Sequence, residues 1–146
     1  MSARGGRAVG VALAIGLAMA SCRRGPVPEP VAFDRESCAQ CRMLISDPAF
    51  AAQLQTESGE ILDFDDPGCL MRYRQEHAPG ARAVFYHHLH EDRWLPEAAT
   101  AFVPVAPTPM GWGLGAVDAG SAGALSLDRA EALVRGRAEG REGGAP

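Results

Sequence analysis

Three sulfur side chains fall within six residues in Cys38-Ala39-Gln40-Cys41-Arg42-Met43, and another thiol follows at Cys69. The Cys-x-x-Cys spacing has three chemical readings: a thioredoxin-type redox pair, half of a zinc site, or a soft-metal clasp shared with Met43. The flanks Glu36-Ser37 and Arg42-Met43 are not those of a thioredoxin-type site, which weakens the redox reading. Zinc needs more ligands, and the chain has no second Cys-x-x-Cys and no suitably spaced pair of histidines. Cys69 with one histidine would complete such a site. A plain disulfide between two of the three thiols is also open. Cu(I) is soft and accepts few ligands, and thiolate and thioether select it; zinc sites hardly ever use thioether. Met43 therefore tilts the clasp toward copper, since Cys41 and Met43 share a face if the segment is extended.

A further thioether, Met110, sits between Pro109 and Gly111 in the run Thr108-Pro109-Met110-Gly111-Trp112-Gly113. That run is too rich in glycine for a helix, and a long apolar side chain there lacks the periodic context of a core position. Met71, by contrast, falls inside a helical pattern and reads as packing. The histidines cluster in Tyr86-His87-His88-Leu89-His90. On a strand, His87 joins Phe85 and Leu89, a position that suits a buried imidazole or a metal ligand equally. His88 and His90 read as polar strand-end positions. Asp63, Asp65 and Asp66 are explained most simply by a capped helix start and a solvated turn. No Ser-His-Asp order, phosphate-binding loop or paired-carboxylate motif is present, so the chain is not expected to be an enzyme.

Patterning says which elements must hold these groups. Phe50 to Thr56 and Ile61 to Phe64 read as strands joined at Ser58-Gly59. Asp66-Pro67 supplies an N-cap and a first-turn proline for a helix to about His77, with Leu70, Tyr73 and His77 toward the sheet, stopping before Pro79-Gly80. Cys69 then falls in the first helical turn. Arg82 to His90 is a third strand, Trp94 begins a short turn or helix, and Ala101 to Val105 is a strand with Pro104 at its end or edge. A Gly-rich loop over 111–120 precedes a last helix from Ser126 to about Ala138. Strand–strand–helix order predicts an α+β fold, and a degenerate second copy of the unit after residue 94 fits the pattern.

The compartment decides what the thiols can be. Arg4 and Arg7 precede a twelve-residue apolar run, Val9 to Ala20, too short for a membrane span and suited to an export signal. Met19-Ala20-Ser21-Cys22 resembles a lipobox, in which Cys22 carries the lipid; cleavage after Ala20 is the rival. An exported chain meets oxidising conditions, yet three thiols cannot all pair within one chain. Metal ligation is one reason to keep a thiol free. All fourteen basic residues are Arg; removing the leader leaves twelve against eighteen acids, a net charge of −6 that argues against nucleic acid. The expected organisation is a leader over 1–21, a Pro-rich tether over 22–35, a domain over 36–138 and a disordered tail over 139–146.

In this order, the lipobox, Cys38-x-x-Cys41-Arg-Met-Leu-Ile-Ser-Asp47, Phe50-Ala-Ala-Gln53, Phe64-Asp-Asp-Pro-Gly-Cys69, Arg93-Trp-Leu-Pro-Glu-Ala98 and Thr108-Pro-Met-Gly-Trp-Gly113 resemble NosL, accessory lipoproteins of nitrous oxide reductase. The resemblance covers about residues 38 to 120. It implies an α+β fold akin to that shared with organomercurial lyase, and Cu(I) binding by Cys41, Met43 or Met110 and a His; Cys38, Cys69 and His87 are further candidates from the residues themselves, the family commonly having an acidic residue where His87-His88 stands. It also implies a periplasm-facing lipoprotein that delivers copper to nitrous oxide reductase or a similar enzyme; by the usual lipoprotein sorting rule, Arg23 after the lipidated Cys22 favours the outer over the inner membrane. The family usually has Gly between the Cys and the Met, where this chain has Arg42. The alternatives are a Cys-x-x-Cys thiol–disulfide oxidoreductase, or a structural envelope lipoprotein held by zinc or a disulfide.

Overall fold

The computed structural model describes residues 25–143; the leader and Cys22 lie outside the described residues. Strands β1 (Ala52–Thr56) and β2 (Ile61–Phe64) form an antiparallel hairpin, and β3 (Ala81–His87) pairs with the other side of β1. The short β4 (Trp94–Pro96) completes a sheet of order β2-β1-β3-β4. A second antiparallel sheet holds β5 (Thr100–Pro104) and β6 (Leu114–Asp118). Helices α1 (Pro67–His77) and α2 (Leu127–Glu142) follow the two hairpins, so the fold is α+β and β5-β6-α2 repeats the order β1-β2-α1. Among the described residues no helix is long and apolar enough to cross a membrane.

Alternation along the strands fixes which face is dry. Leu54 stands opposite Leu62 and Val84, and Tyr86 opposite Ala52 and Leu95, so these side chains share one face. Leu70 and Met71 of α1 are buried with them, Tyr73 meets Phe64 edge-on at 5.5 Å, and Tyr86 meets Phe102 of β5 at 4.9 Å. The opposite face of β1 carries Gln53 and Gln55, both buried. Gln53 accepts from Glu29 N–H at 2.8 Å and donates to Glu29 O at 3.1 Å, while Gln55 donates to Val27 O at 2.6 Å. The Pro-rich segment expected to be a tether is thus fastened to the sheet.

Several boundaries differ from the pattern-based expectations, each for a local reason. The first strand starts at Ala52, because Asp47 caps a 3-10 turn at Pro48–Phe50. The third ends at His87; His88 N–H turns to Arg93 O at 2.8 Å and Leu89 N–H to Ala116 O at 2.7 Å. Trp94 opens a strand rather than a helix, and the turn follows at Glu97–Ala99. The Gly-rich run contains β6, whose Leu114 to Val117 are all buried, so no alternation marks it as a strand. His77 is exposed, with Nδ1 3.0 Å from Tyr73 O, instead of facing the sheet. Helix α2 runs past Ala138 to Glu142, where Arg141 and Glu142 bond to neighbouring elements.

Candidate metal centre

Two short pieces of chain bring the thiols together. Residues 37–44 form a tight return: Ser37 bridges Leu44, Cys38 N–H bonds Met43 O at 2.8 Å, and Arg42 N–H bonds Cys38 O at 3.0 Å. Arg42 closes this turn at φ 67°, a left-handed conformation that costs a non-glycine residue about 1 kcal/mol. Ala39 N–H, bonded to Asp63 O at 2.9 Å, ties the turn to β2. The other piece is the junction of β2 and α1. Asp66 caps the helix, accepting from Gly68 N–H at 2.9 Å, which sets Asp65 just before the cap and Cys69 in the first turn.

The result is one cluster: Cys38, Cys41, Asp65 and Cys69 each present a ligand atom within 4.8 Å of the others. All three cysteines are free thiols. Metal–thiolate bonds of about 2.3 Å place sulfurs sharing an ion roughly 4 Å apart, so a small contraction lets the cluster hold a metal ion. Cys38, Cys69 and Asp65 are buried, and Cys41 is half-buried at the rim. Asp65 was not a predicted ligand. Of the explanation expected for the aspartates, the capped helix start holds at Asp66, but the solvated turn does not, because Asp65 is 2% exposed and Asp66 is fully buried. The legible signal was an acidic residue beyond what the helix cap needs, four positions before a cysteine.

Protons in the cluster are unequally held. The Cys69 thiol donates to the Cys38 sulfur, with help from the backbone N–H groups of Cys41 and Asp65. Together they lower the Cys38 pKa to about 7 against the opposing effect of burial. Cys69, holding the shared proton in a buried place, is pushed well above the ordinary thiol range. Burial raises Cys41 to about 12, and its Sγ lies 3.4 and 3.5 Å from the two oxygens of Asp65. Above about pH 7 the metal-free centre therefore favours one thiolate, Cys38, beside two protonated thiols, and ligation by all three then expels two protons.

Met110 reaches the same place from the far side. Its loop is shaped by Gly111 N–H to Thr108 O at 3.1 Å and Gly113 N–H to Thr108 Oγ1 at 3.1 Å, with φ of 68° and 70° at the two glycines. Met110 N–H bonds Asp66 Oδ2 at 3.1 Å, so the helix cap also positions this loop. Met110 and Trp112 line a cleft of about 240 Å³ together with Cys41 and Cys69. Met43 does not join them: the left-handed Arg42 breaks the extended geometry, and Met43 is 59% exposed and outside the cleft lining.

The histidines stand apart from the thiols. His87 is buried, its Nε2 3.2 Å from Asp92 Oδ1 and its ring edge-on to Trp94 at 5.3 Å. His88 lies near Glu91 and Asp118, a second group with metal-ligand residue types. There, His88 Nδ1 accepts from His90 N–H at 3.1 Å, which leaves the proton of the neutral ring on Nε2. Both carboxylates are already taken by Arg93, at 2.6 and 2.5 Å. That group is an ion-pair cluster. Three larger clefts, of about 570, 560 and 310 Å³, are lined by no thiol. Comparison with family models, curated proteins and solved structures finds no match for this chain.

Proposed function

We propose that the protein is a membrane-anchored, periplasm-facing carrier of Cu(I), lipidated at Cys22, that hands its ion to a copper enzyme such as nitrous oxide reductase. The observation that carries this reading is the convergence of three free thiols with Met110 beside them. Soft thiolate and thioether donors suit Cu(I), and a half-exposed Cys41 gives an incoming ligand a point of entry. The oxidoreductase alternative fits poorly. Its nucleophile would be the low-pKa thiolate, which here is the fully buried Cys38, while the accessible Cys41 keeps its proton.

Asp65 supports a second reading, a structural zinc ion held by three cysteines and one carboxylate. Competition titrations of the reduced, metal-free protein separate the two. For the copper carrier, Met110→Leu weakens Cu(I) binding by about tenfold or more, and Asp65→Asn changes it little. For the zinc site the order reverses. Cu(I) affinity unaffected by a Cys41→Ser, Met110→Leu pair would remove the carrier reading.

A further inference from the structure

The cleft over the thiols has a wall made from four separate pieces of chain, joined by side chains. Gln40, in the thiol turn, donates to Glu76 of α1 at 2.8 Å, and Glu76 pairs with Arg72 at 2.5 Å. Arg72 reaches across to Glu142, in the last turn of α2, at 2.6 Å. The next residue back, Arg141, donates to Met110 O at 3.0 Å and Gly111 O at 3.1 Å, and its guanidinium lies 4.2 Å from the centroid of the Trp112 ring. The bond from Met110 N–H to Asp66 returns the circuit to α1. Gln40, Arg72, Glu76, Arg141 and Glu142 line the same cleft as Cys41 and Cys69.

From this circuit we infer that the last turn of α2 is a latch, Arg141 and Glu142 holding the Met110 loop closed over the thiols and setting the rate of ligand exchange there. The parts suit that task. A helix terminus and surface ion pairs belong to the least stable parts of a fold, so the closure opens without unfolding the core. Arg141 grips the loop by two backbone carbonyls and an aromatic face, so the loop is held whatever the thioether of Met110 does. A latch changes entry and exit together, and while the closed form dominates it alters affinity little. The geometry stands on its own; its purpose as a gate for metal transfer rests on the carrier reading above.

The test uses the full reduced chain as wild type, Arg141→Ala and Glu142→Gln, with two readouts. N-ethylmaleimide labelling of Cys41 and Cys69, followed by mass spectrometry without metal, reports access to the cleft. Cu(I) withdrawal by a coloured chelator reports exchange, and its end-point reports affinity. The latch predicts that Arg141→Ala speeds labelling and withdrawal by about threefold or more, with the end-point nearly unmoved and Glu142→Gln giving a smaller change in the same direction. Labelling unchanged in both variants would overturn it, as would a changed end-point without a changed rate. If neither wild type nor variant binds Cu(I), the carrier reading fails, and the labelling arm still decides the latch.

Discussion

The cluster depends on how its thiols divide their protons. Native Cys38 loses its proton near pH 7, against 9.0 when unfolded. Its contribution to stability is therefore present in full above pH 9 and is lost as pH falls through 7. Cys41 and Cys69 are raised, so their contribution is present below pH 9 and lost as pH climbs beyond it. The reduced, metal-free protein should gain about 2 kcal/mol between about pH 6 and about pH 9, then lose stability above that. Chemical denaturation across that range checks this, with Cys38→Ser expected to flatten the rise. Much of the centre was legible at this scale. Three cysteines and Met110 were readable from residue type and context. Asp65 was hidden because a run of aspartates before a proline has a sufficient local explanation in capping. Met43 misled because spacing fixes a shared face only if the backbone is extended, and the sign of φ at Arg42 depends on the whole turn.

Among the elements, α1 does the most positioning: its cap orients the Met110 loop, its first turn presents Cys69, and Gly68 admits Trp112. A Cβ on Gly68 would lie 2.2 Å from Trp112 Cγ, a distance no side chain tolerates. Gly68→Ala should force the indole away and cost about 1–3 kcal/mol in denaturation, despite alanine's better helix propensity. Near-normal stability would show that the Trp112 loop yields easily, and that its contact with α1 is not what holds it. The helix itself was readable to the residue at both ends, since Asp66, Pro67 and the stop before Pro79 act locally. β4 and β6 were not. A three-residue strand exists only through its partner, and β6 is buried at every position from Leu114 to Val117, which leaves no alternation to mark it. Four extra residues of α2 depend on contacts with α1 and the Met110 loop, which no local signal reports.

For the molecule as a whole, the α+β class followed from element order, but the packing of its outer sheet face did not. Glutamines alternating on a strand read as a wet face; here they are buried because backbone groups of residues 27–29 satisfy them. Replacing both Gln53 and Gln55 with Ala should free that segment, seen as protease cleavage between residues 25 and 33, at a cost of about 2 kcal/mol. Resistance to cleavage would mean that Val31 and Phe33, which pack on the core, hold the segment without the glutamines. The fastening also sets a working radius. If Cys22 carries the lipid, as proposed, the five residues beyond it to Val27, the first one bonded to the sheet, span at most about 18 Å. A domain so anchored would ride close to the bilayer like a bead on a short wire, and a recipient of its cargo would have to come to the membrane to meet it.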